Sequence, residues 1–186
     1  HVSLQMTEWY TNYARITRNE DTRVDAELNK LIHDIQVEMA TDVLYESYNG
    51  DGTLAGGKGK AIEVLRDGDD VPDVYKERSA IRKMIDTGQI SLKYSGLTYC
   101  TNGYRCDQDG VVNSAFCVDC DSAIIDEAIA SKWQRLHERC VGHLEFAYDC
   151  GDVSPVSYAH FVSQIKAAEN VMTRFNIEFT PFEDLE

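Results

Sequence analysis

The 186-residue chain predicts a mainly α fold: a helical, bundle-like fragment with minor β content around one small loop that a metal ion clamps. Three observations carry that expectation. Apolar residues recur at steps of three and four over most of the length, the period of a helix with one buried face. Only three prolines interrupt the chain. Four of the six cysteines, Cys100, Cys106, Cys117 and Cys120, gather within twenty-one residues of a loop-rich stretch. Thiols serving as small core hydrophobes have no reason to bunch there.

Taken in order, residues 2–16 read as a helix with Leu4, Trp9, Tyr13 and Ile16 near one face. A longer helical pattern follows over about 22–48, with Val24, Leu28, Leu31, Ile35, Met39 and Val43 expected inward and Asp21 or Thr22 as its cap. Asn49-Gly50-Asp51-Gly52 stops it, and glycines continue to Gly59, which predicts a flexible surface loop. A short helix over 60–66 leads to the turn at Asp67–Asp70, read as solvated carboxylates because the ligand spacing of a calcium loop is missing. Residues 73–87 are expected to be helical, with Val74, Ile81, Met84 and Ile85 inward and Gly88 as C-terminal cap. Ile90–Tyr94 alternates apolar and polar, the pattern of a short strand.

A third major helix is predicted over 121–147, starting at Asp121 or Ser122, with Ile125, Ile129, Trp133, Leu136 and Cys140 as its buried stripe. Gly151 and Pro155 break the chain. Ser154 then caps a last helix over 155–175, whose inward face is Phe161, Ile165, Ala168 and Met172. No internal repeat or low-complexity tract is present.

Composition narrows the function classes. A formal charge of −14 opposes a phosphate-tracking surface over most of the chain, since nucleic-acid affinity rests on Lys and Arg. The surplus lies downstream of residue 24: before it, Arg15, Arg18 and Arg23 balance Glu8, Glu20 and Asp21. DNA contact is therefore expected from the front end or from sequence beyond this chain. No apolar run approaches a membrane span and no signal peptide opens the chain, so no membrane partner is expected. A first residue that is His rather than Met suggests a piece of something longer, a processed protein or the remnant of a tag. Gly52-Thr-Leu-Ala-Gly-Gly57-Lys58 nearly matches a phosphate-binding loop, but Gly59 stands where Mg²⁺ needs Ser or Thr and no strand precedes it. No nucleotide cofactor is expected.

Six cysteines are too few for a secreted disulfide scaffold, and their bunching fits a metal in a reducing compartment, hence a cytoplasmic protein. Four thiolates at these spacings can close a tetrahedron around a structural Zn²⁺. Cys117-Val-Asp-Cys120 is the firm half, because a C-x-x-C turn lets two sulfurs converge. The Cys100–Cys106 half is looser, so His137, Cys140 or His143 stays open as a replacement donor. Cys140 also suits a buried free thiol on its helix stripe, or a pairing with Cys150.

The front end, His1-Val-Ser-Leu-Gln-Met-Thr-Glu-Trp-Tyr10, resembles the close of the catalytic domain in tyrosine recombinases, the phage-integrase family. There a histidine precedes the tyrosine nucleophile by nine residues, with Ser and Thr between, as Ser3 and Thr7 stand here. Gly96-Leu-Thr-Tyr-Cys100 and Cys117-Val-Asp-Cys120 are similar to the zinc-binding tail of certain mobile-element integrases. The resemblance implies a parent enzyme for DNA integration and recombination. In it Tyr10 is the nucleophile that forms a 3′-phosphotyrosyl link, and His1 donates to the phosphate. It divides the chain into residues 1–17, the last catalytic helix; 18–95, a helical extension; and 96–186, the cysteine loop with two helices. The arginines, lysine and further histidine or arginine that the family requires all precede its histidine, so this fragment is expected to be inactive alone. The implied partners are DNA, through the parent catalytic domain, and further copies of the protein in a recombination synapse. The alternative is a stand-alone zinc-stabilised protein-interaction module without catalytic activity.

Overall fold

In the computed structural model, which describes residues 22–103, 106, 113–151 and 153–183, the chain divides into two compact units, His1–Met39 and Ala40–Glu186. The helix expected at 2–16, with His1 and Tyr10, lies outside the described residues. The first described helix, α1 (Thr22–Asn49), begins in the first unit and ends in the second. Its buried residues are Val37, Ala40, Thr41, Leu44, Ser47 and Tyr48, while Leu28, Leu31, Ile35 and Met39 are each at least 50% exposed. Four of the six residues expected inward are thus exposed, Val43 is half-buried, and the side chain of Val24 lies outside the described ones. Two apolar series interleave on this helix, and periodicity does not say which of them a core will take.

The glycine run is a correction of another kind. Leu54, Ala55, Gly56 and Gly59 are all buried, so the segment is packed, not a flexible surface loop. Helix α2 (Gly57–Asp67) starts inside it, three residues earlier than expected. Two guanidiniums hold the run: Arg66 donates to the carbonyls of Gly50 (2.6 Å) and Gly52 (2.7 Å), and Arg174 donates to the Leu54 carbonyl (3.2 Å) and pairs with Glu63. The helix expected at 73–87 is two pieces, α3 (Asp73–Lys76) and α4 (Arg78–Asp86), split where Glu77 adopts an extended backbone (φ −114°, ψ 119°). The split leaves Val74 exposed and Ile81 fully buried. Gly88 follows α4 at φ +70°, the left-handed position that its expected capping role requires.

Three two-residue strands form an antiparallel sheet in the order β1 (Lys93–Tyr94), β2 (Tyr99–Cys100), β3 (Ala123–Ile124). Strand β3 occupies residues expected to open the third major helix. That helix, α5 (Glu127–Asp149), begins after Asp126, whose carboxylate accepts the Ile129 N–H at 2.8 Å. Ile125 pairs with Ala55 through two backbone bonds of 2.9 Å, a backbone partnership that a helical position would not leave available. Helix α6 (Pro155–Arg174) has the predicted Ser154 cap, its hydroxyl accepting the Ser157 N–H at 3.1 Å.

Helices α5 and α6 pack along each other and bury Ile129, Trp133, Leu144, Ile165, Ala168 and Met172 with Val118 and Ile125. A second cluster joins Leu44, Tyr48, Leu54, Ile62, Ile81 and Ile124. Ile124 and Ile125 are adjacent and face different clusters, as the two-residue alternation of an extended chain dictates. Both clusters draw on residues before and after position 95, so the sheet is the seam between them. No described helix is long and apolar enough to cross a membrane.

Candidate metal centre

The ladder between β2 and β3 sets Cys100 opposite Ala123, and the Thr101 N–H donates to the Ser122 carbonyl at 2.9 Å. Cys100 is therefore carried beside the chain just as it leaves Cys120. A 3₁₀ turn, Ser114–Cys117, delivers the other two residues. Asn113 caps it, accepting the Ala115 N–H at 3.2 Å. The Cys120 N–H then donates to the Cys117 carbonyl (3.3 Å) and the Ala123 N–H to the Cys120 carbonyl (3.0 Å), closing the C-x-x-C turn. Gln164 on α6, 4% exposed, locks this turn in place. It accepts from the Ser114 hydroxyl at 2.8 Å and donates to Asn113 Oδ1 at 2.5 Å.

Cys100, Cys117 and Cys120 are half-buried and Cys106 is exposed. Burial pushes the Cys117 thiol above its ordinary range; a hydrogen bond from Thr98 pulls it back, and the charges of Cys120, Cys100 and Cys106 push it up again. As thiolates the four candidate ligands would repel one another, and a divalent cation would reverse that repulsion. Among the described residues, however, no three His, Cys, Asp or Glu side chains are drawn together closely enough to hold an ion. The backbone carries Cys100 and the Cys117–Cys120 turn to adjacent strands, and the sulfurs stand outside one coordination sphere.

The reserve donors are engaged elsewhere. His137 is 6% exposed, with Nε2 3.3 Å from Glu169 Oε1 and its ring edge-on to Phe179. His143 stacks on Phe161. Cys140 lies in the α5–α6 cluster as a free thiol, its pKa raised by burial and partly drawn back by Arg139. Cys150 is a free, exposed thiol. The catalytic candidates Tyr10 and His1 lie outside the described residues.

Sequence reasoning missed Thr98 and Gln164, both buried polar residues. Thr98 stands two residues before Cys100, and that proximity was its one available signal; Gln164, forty-four residues past Cys120, had none. No protein-family model matches the chain, and no curated protein or solved structure matches it significantly.

Proposed function

We propose that this chain is the C-terminal portion of a site-specific DNA recombinase of the tyrosine type, an integrase, followed by a zinc-braced helical extension that works through protein contact. The observation that carries this reading is the nine-residue separation of His1 from Tyr10, with Ser3 and Thr7 between. In the parent enzyme the Tyr10 hydroxyl attacks a backbone phosphorus, the 5′-oxygen departs with a proton as a free hydroxyl, and the 3′-phosphate stays on the tyrosine. The phosphodiester energy is retained in that link, so rejoining needs no nucleotide. His1 donates to a non-bridging oxygen as charge develops there. The upstream arginines are outside this chain, which is inactive by itself.

Cys100, Cys106, Cys117 and Cys120 would hold the zinc ion. With four protein ligands the ion supplies no catalytic position; it closes the loop. The C-x-x-C turn, closed by the Cys120 N–H on the Cys117 carbonyl, supports this assignment. The extension carries the acidic surplus, which disfavours a primary grip on DNA and favours contact with a neighbouring protomer in the synapse.

The test is Tyr10→Phe in the full-length protein, assayed with a DNA substrate under denaturing electrophoresis. Covalent adducts should vanish while DNA binding is retained; persisting adducts remove Tyr10 from the mechanism. A second reading, a zinc-stabilised interaction module without catalytic ancestry, is favoured by one observation: Ala40–Glu186 is a compact unit with two hydrophobic clusters of its own. The reading frame before His1 separates the two. An Arg-containing catalytic domain there supports the first, and a start codon the second.

A further inference from the structure

We infer that the exposed apolar row of α1, formed by Leu28, Leu31, Ile32, Ile35 and Met39, is a docking face for a basic amphipathic helix of a partner protein. The inference needs neither the recombinase reading nor the zinc reading.

Residues 25–36 of α1 are exposed without exception, on every side of the helix. The five residues of the row keep 44–58% of their surface in water. Their steps of three, one, three and four residues gather them into a band about 100° wide. A band of that width is what a helix turns toward a core, and here it faces water. Contiguous apolar surface of this kind marks an interaction site, whereas scattered apolar residues do not. From Leu28 to Met39 the band runs about 16 Å, three turns of helix. A second helix of about fourteen residues can lay anchors at i, i+3, i+4 and i+7 along it.

The edges of the band decide the partner's charge. Asp25 borders it on one side, and Glu27, Asp34 and Glu38 border it on the other. Lys30, the one Lys or Arg between Asp25 and Met39, falls on the opposite face. A helix arriving on the band meets carboxylates along both rims, and Lys or Arg beside its own apolar row complements them. The same rims count against other occupants. A second copy of α1 brings the same acids, on a chain of formal charge −14. An anionic lipid surface is repelled for the same reason.

The test uses the full chain and a fluorescent synthetic helix of about fourteen residues, with leucines at i, i+3, i+4 and i+7 and lysines on both flanks. A twin peptide carries glutamate in place of every lysine. The wild-type chain should raise the anisotropy of the lysine peptide, bind it less tightly as salt rises, and ignore the twin. Leu31→Glu and Ile35→Glu should each weaken binding of the lysine peptide about tenfold. Glu27→Lys combined with Asp34→Lys should reverse the preference, so that the twin binds and the lysine peptide does not. Lys30→Glu, on the far face, should leave the affinity within about twofold of wild type. If the glutamates in the row unsettle the helix, the charge-reversed protein decides, because its apolar row is intact. No binding, equal affinity for the two peptides, or binding that Leu31→Glu and Ile35→Glu leave unmoved overturns the docking face. A wild-type dimer that Leu31→Glu dissociates also overturns it, and gives the row to a second copy.

Discussion

The α5–α6 hairpin and the Cys100–Cys120 loop lie side by side but are held by different physics. The hairpin buries Ile129, Trp133, Leu144, Ile165, Ala168 and Met172 to 1% exposure or less, so area removed from water supports it. Among the described residues of the loop Val118 is the one buried side chain, and short strands, backbone bonds and a buried glutamine hold them. The lesson is that the first region rests on burial, and the described part of the second on hydrogen bonds. Trp133 ties the hairpin to the turn that precedes the loop: it fills the hairpin core, and its indole N–H donates to the Leu97 carbonyl in the β1–β2 turn at 2.8 Å.

That contrast can be broken from its strong side first. Trp133→Ala should cost about 3–5 kcal/mol, the range for deleting a large buried aromatic, and should lower the urea midpoint of the whole Ala40–Glu186 unit. A cost under about 1 kcal/mol would mean that the hairpin core is not the main support. The second test removes the proposed ion. With free Zn²⁺ held at a hundred times its dissociation constant, chelation should withdraw about 2.7 kcal/mol of apparent stability, and Cys117→Ser should abolish that increment. A melting temperature indifferent to both would leave the loop braced by its backbone alone.

Two smaller effects sharpen the picture. Asp126→Ala removes the cap of α5 at the point where strand becomes helix, and should cost about 1 kcal/mol in chemical denaturation. The alkaline limb reports on the other cluster. Tyr48, buried and stacked on Tyr75 at 3.9 Å, has its pKa pushed well above the usual tyrosine value, by burial first and then by Tyr75. The unfolded tyrosine ionises near about 10 while the folded one holds its proton, so the unfolded state binds fewer protons in that window. Stability is therefore full below about pH 10 and falls as pH rises beyond it. Urea midpoints on either side of pH 10 check the sign, and Tyr48→Phe should flatten the decline.

Much of the hairpin was legible in the residues. Ser154 followed by Pro155 announced the start of α6, and the three- and four-residue spacing from Ile129 to Cys140 picked out the buried stripe of α5. Both features are local, settled within a turn or two of helix. The cysteine candidates were legible for a similar reason, since C-x-x-C is a short-range device. The face of α1 was not legible, because Leu44 and Tyr48 gain their burial from a cluster with residues as distant as Ile81 and Ile124. Nor was β3: Ala123–Ile124 looked helical until β2 supplied a partner.

What the chain dictates unaided is the helical class, the Ser154 cap of α6, the close spacing of four cysteines and the His1–Tyr10 spacing, each legible among residues close in sequence. What the tertiary structure alone decided is which of two apolar stripes on α1 is covered, why Gly56 and Gly57 bear no side chains, and which distant groups, Thr98 and Gln164, flank the cysteine turn. Those are matters of close approach between segments distant in sequence, as Gly56 and Ala123 are, and no local preference encodes which backbone will arrive against which.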